Sequence, residues 1–264
     1  MCGIAGYSLA DSSRLDRTLA AQALLAGIAE RGADAVGYAH RSPRHGISVH
    51  KQRSGASALL DQISIPASAT EVLVHVRDYT KGHPTIAANN HPIRHGAVVG
   101  IHNGIIFNDD ELLAEHDCAR REPGMTVDSE AIFALAAHSH GNPGTLEALR
   151  GSMAAAWLDE RQERALYVAR GVGRPLWLGR GREGTFFAST QLALEVVERS
   201  LGLKLHKREL DEGTLVTFEE GRLAHRERFR PNRSFEERPL PPVRAPNEGA
   251  FCLKRLATLV AATS

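Results

Sequence analysis

Residues 97–108 read AVVGIHNGIIFN. The first six make a near-continuous apolar run, which suits a strand covered on both faces. The Asn103-Gly104 pair that follows has two readings. It is a hairpin-turn signal. It is also a way to aim a side-chain amide and a backbone N–H at one point, and those are the donor types that stabilise an oxyanion.

Outward from this run, the chain keeps alternating between strands and helices. Residues 3–9 and EVLVHVR (71–77) read as strands, with others near 36–40 and 46–52. Leu15, Leu19, Ala23, Leu24 and Ile28 fall on helical spacing within 15–30. Asn108 can cap a helix over 109–116 with Glu111 at the box position. Asp128 opens a second helix and Asn142-Pro143 a third. From 151 the strands MAAAWLD, ALYVAR, PLWLGR and GTFFAST precede the helix QLALEVVERS, and KLHKREL and GTLVTFEEGRLAH then flank Gly-bearing turns. Strands in hairpins interspersed with helices imply an α+β fold with mostly antiparallel sheet. The expected organisation is one domain over 2–222. Residues 223–264 are expected to be a basic, Pro-rich linker and a short terminal helix. Residues 222–244 hold seven Arg against three Glu, with four Pro between 231 and 242.

The balance of 32 Lys and Arg against 31 Asp and Glu gives no global field toward nucleic acid. The chain contains no apolar run of the roughly 18 residues that a membrane span needs. Its start has no secretory pattern. Cys2, Cys118 and Cys252 are odd in number and far apart, which excludes a disulfide scaffold and favours a reducing, cytoplasmic setting.

Cys2 follows the initiator Met directly. Removal of Met1 would leave a thiol and a free α-amine on one residue, the arrangement of a nucleophile that carries its own base. The alternative is a small apolar residue at a frayed end. Arg77 at a strand end suits bidentate capture of a carboxylate, and Asp128 suits an ammonium; the plainer readings are a surface charge and a helix N-cap. His75, His83, His91, His95 and His102 crowd one region. Without carboxylate or Cys company at fixed spacing they do not specify a metal site.

In order, MCGIAGY, ERGADAVGYA, HVRDYTKGHP, NNHPI, HNGIIFN and VDSEAI resemble the glutaminase domain of class II glutamine amidotransferases, which are N-terminal-nucleophile hydrolases. The resemblance covers about five-sixths of the chain, residues 2–222. HNGII and the T-x-G-x-P run (Thr80, Gly82, Pro84) look closest to the glucosamine-phosphate synthase-like branch. The resemblance implies a four-layer αββα sandwich. It assigns Cys2 as nucleophile, Asn103 and Gly104 as oxyanion hole, Arg77 to the glutamine α-carboxylate and Asp128 to its α-ammonium. Arg31, Thr80 and His91 join the substrate-binding set. The chain departs from that branch at Asp78-Tyr79, where a Trp of the loop closing over glutamine usually stands.

The implied activity is a free-standing glutaminase. It would convert L-glutamine to L-glutamate and ammonia through a γ-glutamyl thioester on Cys2, with no metal or organic cofactor. Ammonia would pass to a separate synthase subunit, because the chain ends about 40 residues past the glutaminase. Membrane and nucleic acid are not expected partners, and a homo-oligomer is compatible. Two alternatives stand beside this reading: a γ-glutamyl amide hydrolase acting on a larger conjugate, and a non-catalytic module that senses glutamine or binds a partner.

Overall fold

The alternation at 71–77 becomes a strand near the middle of a seven-stranded sheet. The computed structural model describes residues 1–42, 46–139, 142–237 and 245–263. Its strands are β1 (Gly3–Leu9), β2 (Ala35–Ser42), β3 (Gly46–Gln52), β4 (Glu71–Arg77), β5 (Ile93–His95), β6 (Val98–Ile106) and β7 (Gly151–Asp159). The remainder are β8 (Ala165–Arg170), β9 (Trp177–Arg180), β10 (Gly184–Ala188), β11 (His206–Glu209), β12 (Thr214–Glu219) and β13 (Arg222–Arg228). One sheet runs β11-β9-β10-β1-β4-β2-β3 and the other β13-β12-β8-β7-β6-β5. The strand pairings within both sheets are antiparallel.

Helices α1 (Arg17–Ile28), α2 (Ala56–Leu59), α5 (Gln191–Leu201) and α6 (Pro246–Thr263) cover the first sheet, and α3 (Asp109–Glu115) and α4 (Glu130–Ser139) cover the second. Period-two alternation sorts the side chains into three layers of core. Val72, Val74 and Val76 of β4 face α1, while Leu73 meets Ile4, Val99 and Ile101 between the sheets. Phe133 of α4 packs with Val98 and Trp157 on the outer face of the second sheet. This is the four-layer αββα sandwich.

Several local readings change. Asn103-Gly104 is not a hairpin turn: it lies inside β6, with Asn103 opposite Ala154 and Gly104 opposite Met153. Asn108 does not cap α3; its side chain accepts from Arg150 N at 2.8 Å and donates to Ala148 O at 3.0 Å. Asn142 does accept from Gly144 N, but what it opens is the 3₁₀ turn Pro143–Ala148. The expected boundary after 222 falls within β13, which pairs along β12 as far as Arg228. Residues 238–244, the rest of the basic Pro-rich run, lie outside the described residues.

The terminal helix is longer than expected and packs back on its own domain. Cys252 and Leu256 join the α1 core, and Glu248 accepts from Ser57 N (2.8 Å) and Ser57 Oγ (2.9 Å). Leu256 is 3% exposed. Leu256→Ala should therefore destabilise the fold by about 2–4 kcal/mol, lowering the thermal midpoint by roughly 5–10 °C. A calorimetric midpoint equal to that of the parent chain would contradict this packing.

Candidate active site

Pairing of β1 with β4 brings Gly3 opposite Val76, so Cys2 sits beside Arg77 and Asp78 at one end of the first sheet. The same alternation that sends Ile4, Leu73, Val99 and Ile101 between the sheets assigns Cys2, Arg77 and Asn103 to that gap. The narrow cleft there is lined by Cys2, Arg77, Thr80, His91, Gly104 and Asp128 among others. A larger cavity at the opposite ends of these strands, lined by Arg41, Glu71, Glu160 and Arg164, holds none of the residues singled out.

Cys2 is half-buried. Its thiol donates to the Asp78 carbonyl at 3.4 Å, and its own carbonyl accepts from Arg31 Nε at 2.9 Å. Burial pushes the Cys2 thiol pKa up, more than the Asp78 hydrogen bond and the Arg77 charge lower it. Arg31 lies behind Cys2 and does not line the cleft.

Arg77 is no surface charge: it is 2% exposed. Nη1 donates to Asn90 Oδ1 at 2.6 Å, and Nη2 to the carbonyls of Lys81 (2.9 Å) and Gly82. These bonds occupy three of the five guanidinium N–H groups and leave two for a ligand. Asp128 does not cap α4. Its Oδ2 accepts from Ile106 N at 2.7 Å, and burial raises its pKa to about 6.

Asn103 is 1% exposed, and its Nδ2 is buried without a hydrogen-bond partner among the described residues. An orphaned amide donor of this kind costs about 1–3 kcal/mol, so its persistence points to a ligand. Gly104 has φ +151°, and a Cβ there would lie 1.9 Å from Ser152 O. Only glycine fits this backbone conformation and this close approach to β7. Beyond it, Ile105 N turns to Ser152 Oγ and Ile106 N to Asp128.

Sequence reasoning passed over the residues that hold these groups. Asn90 bonds Arg77 and, through Nδ2, Pro84 O at 2.8 Å. Asn89 Oδ1 accepts from Thr126 N (2.7 Å) and Val127 N (3.0 Å), which fixes the approach to Asp128. Lys81 ties its loop to α3 through both Asp109 oxygens at 2.7 Å. Two adjacent asparagines ahead of His91 were the available signal, since buried amides are kept for their hydrogen bonds.

Three imidazoles cluster at the cleft, His91 and His102 in its lining and His75 against His91. His75 Nε2 lies 3.1 Å from His102 O and must donate, because a carbonyl only accepts. His102 Nε2 likewise donates to Ser152 O, leaving Nδ1 to accept from Ser129 Oγ at 2.9 Å. His91 stacks on His75 at 4.2 Å between ring centroids, and both its ring nitrogens are without partners among the described residues. Burial pushes His75 and His102 down to about 3 and His91 well below its usual range, so all three are neutral. The described residues contain no group of three or more His, Cys, Asp or Glu placed to hold a metal.

Residues 71–196 match a family described as a glutamine amidotransferase domain. Among curated proteins, the chain is 30% identical over 203 residues to glutamine–fructose-6-phosphate aminotransferase [isomerizing] of Helicobacter pylori, covering 72% of this chain and 32% of that protein. It is 32% identical over 212 residues to the protein of the same name from Escherichia coli K12, covering 75% and 33%. The chain thus spans about a third of the length of these relatives. Among solved structures it resembles the glutamine phosphoribosylpyrophosphate amidotransferase of B. subtilis, with TM-score 0.67 at 20% identity, over 86% of this chain and 49% of that one. The chain carries a class II glutamine amidotransferase domain with the N-terminal-nucleophile hydrolase fold. Among the described residues, no helix is long and apolar enough to cross a membrane.

The neutral imidazoles make acid stability predictable. Their folded pKa values lie below the unfolded value near 6.5, so the unfolded chain binds more protons from pH 6.5 downward and stability is lost there. Asp128 and Glu71, both raised by burial, act in the opposite sense, but burial lowers His40 as well, so two carboxylates are set against four imidazoles. Thermal midpoints should fall steadily between pH 6.5 and 4. A flat profile would mean that these histidines are not buried neutral.

Proposed function

We propose that this domain hydrolyses L-glutamine to L-glutamate and ammonia through a γ-glutamyl thioester on Cys2, once Met1 has been removed. The observation that carries this reading is the convergence of Cys2, Arg77, Asp128 and Gly104 on one cleft, beside the orphaned Asn103 amide. The Cys2 α-amine takes the thiol proton and the thiolate attacks the carboxamide carbon. The resulting oxyanion is held by Asn103 Nδ2 and Gly104 N–H. As the C–N bond breaks, the ammonium returns its proton to the leaving nitrogen. Water then hydrolyses the thioester. Arg77's two remaining N–H groups take the substrate carboxylate, and Asp128 takes its ammonium. Thr80 and His91 line the same cleft, and Arg31 fixes the Cys2 backbone. In this reading the ammonia passes to an acceptor enzyme separate from this domain; the relatives' printed names, aminotransferase and amidotransferase, speak only of nitrogen transfer by those proteins.

A glutamine-mimicking diazo-ketone should label Cys2 in a chain whose intact mass lacks Met1. Labelling at Cys118 or Cys252 alone would sink the assignment. Asn103→Ala should cost on the order of 10²–10³ in kcat with KM little changed, whereas Arg77→Ala should act chiefly on KM.

Asp128 gives the reading a pH test. Its pKa of about 6 means that it loses charge as pH falls through 6, so KM for glutamine should rise there. Asp128→Asn removes a charge that is costly to bury. It should raise KM at pH 7 while raising the thermal midpoint, the trade expected of a binding group. A variant with unchanged KM would remove Asp128 from the site.

A further inference from the structure

The Met1 ammonium pairs with Asp78 Oδ2, and Asp78 is 4% exposed. The carboxylate is held there by its neighbours. Asp34 N donates to Arg77 O at 3.0 Å, and Asp34 Oδ2 accepts from Tyr79 N at 2.9 Å, which brackets residue 78 on both sides. Gly32 packs against the same peptide, where a Cβ would lie 2.4 Å from the Arg77 carbonyl. On the other side the Cys2 thiol reaches the Asp78 backbone carbonyl. Asp78 therefore faces the chain terminus with both its main chain and its side chain.

Removing Met1 moves the terminal amine back by one residue. The nitrogens of residues 1 and 2 are three bonds apart, at most about 3.7 Å. β1 pairing and the Arg31 bond hold Cys2 in place meanwhile. The new α-amine thus arises next to the carboxylate that the old one occupied.

We propose that Asp78 is the positioning residue of the nucleophile: its carboxylate orients the Cys2 α-amine toward the thiol and stabilises the ammonium that forms when the amine takes the thiol proton. Thiol, amine and carboxylate then stand as nucleophile, base and orienting group. The proton passes from Sγ to the amine and later to the departing nitrogen, and Asp78 orients without carrying it. This inference rests on the glutaminase reading above.

The surrounding charges leave this role to Asp78. Asp34 and Asp128 are engaged with the backbone amides of Tyr79 and Ile106. Glu30 stands near Arg31, which takes the Cys2 carbonyl rather than the amine. Arg31 and Arg77 disfavour a second cation here, Arg174 is one step further out, and His75, His91 and His102 are neutral. An anion within about 4–6 Å counters the two arginines and favours the charged amine.

The test is the pH profile of kcat/KM for glutamine in the full chain, with Met1 removal confirmed by intact mass for each variant. Asp78→Asn should lower kcat about 10- to 1,000-fold with KM within about threefold, a loss smaller than removal of the corresponding triad aspartate. Its acid limb should move about one pH unit lower, because the amine loses its counter-ion. Asp78→Glu should keep the limb of the parent chain, and Asp78→Ser should repeat the Asn result without the amide's shape. If Asn and Ser variants that fold and lose Met1 retain the parental limb, or if Glu shifts it equally, Asp78 is only structural and the proposal fails. Cys2→Ala separates the two levels. Loss of hydrolysis with an unmoved Asp78 profile rejects this inference alone, whereas retained hydrolysis rejects the glutaminase reading itself.

Discussion

Pairing Gly3 with Val76 across β1 and β4 decides, in one register, where the first two residues of the chain end up. Six successive pairs from Gly3 to Ser8 enforce that register, and both strands are buried along their length. A slip of one residue would swap the faces of every side chain. It would carry Val72, Val74 and Val76 away from α1 and turn Cys2 out of the gap between the sheets. Glycine is needed at position 3 because a Cβ there would lie 2.8 Å from a Val76 methyl and 3.0 Å from Ile28 Cβ. The hydrophobic core and the placement of the thiol are thus enforced by the same contacts.

The second sheet supplies what the first lacks. β6 enters the gap beside β4, and His75 crosses it to bond the His102 carbonyl, a direct polar link between the sheets. That link ends near Asn103 and Gly104, so the donors of β6 are set against the thiol of β1 by interior packing rather than by a loop. The substrate-facing groups beyond are held by loops, and these are tied down by Asn89, Asn90 and Lys81. Burial of Asp128 with a raised pKa and of an unpartnered Asn103 amide lowers the stability of the free protein. Such departures from full satisfaction are expected where function competes with folding.

Strands such as 71–77 and 165–170 were legible to the residue, because alternating patterns rich in β-branched and aromatic residues leave little choice. Cys2, Arg77, Asn103, Gly104 and Asp128 were legible only as an ordered set; singly, each had a plainer reading. Asn108 and Asp128 show why. Both stand where a helix cap would, but tertiary partners from β6 and the 148–150 segment compete for their side chains and win. Local propensity carries no term for an amide that arrives from 20 or 40 residues away. The last strand is hard to read from sequence for a related reason. β13 is exposed along its whole length and rich in arginine, so its composition resembles a linker while its backbone completes a hairpin.

The electrostatics of Cys2 narrow the ways in which this thiol can react. Reactive cysteines commonly gain a lowered pKa from a helix N-terminus or adjacent cations. Here Cys2 precedes a strand, and burial outweighs the pull of Arg77, so the thiol is held above its ordinary range. At neutral pH a standing thiolate is therefore scarce, and the proton must be removed during the reaction by a group in direct reach. The imidazoles at the cleft are weak bases: His75 and His102 spend their donors on carbonyls, and burial holds His91 well below its usual range. Asp128 is bound to Ile106 N, and Arg31 and Arg77 are cations. In the proposed reaction the base is the nitrogen covalently attached to Cys2, which becomes an amine only when the Met1 peptide bond is cut. On the proposed reading, the buried setting that makes the thiol inert in the unprocessed chain is what makes its own α-amine indispensable.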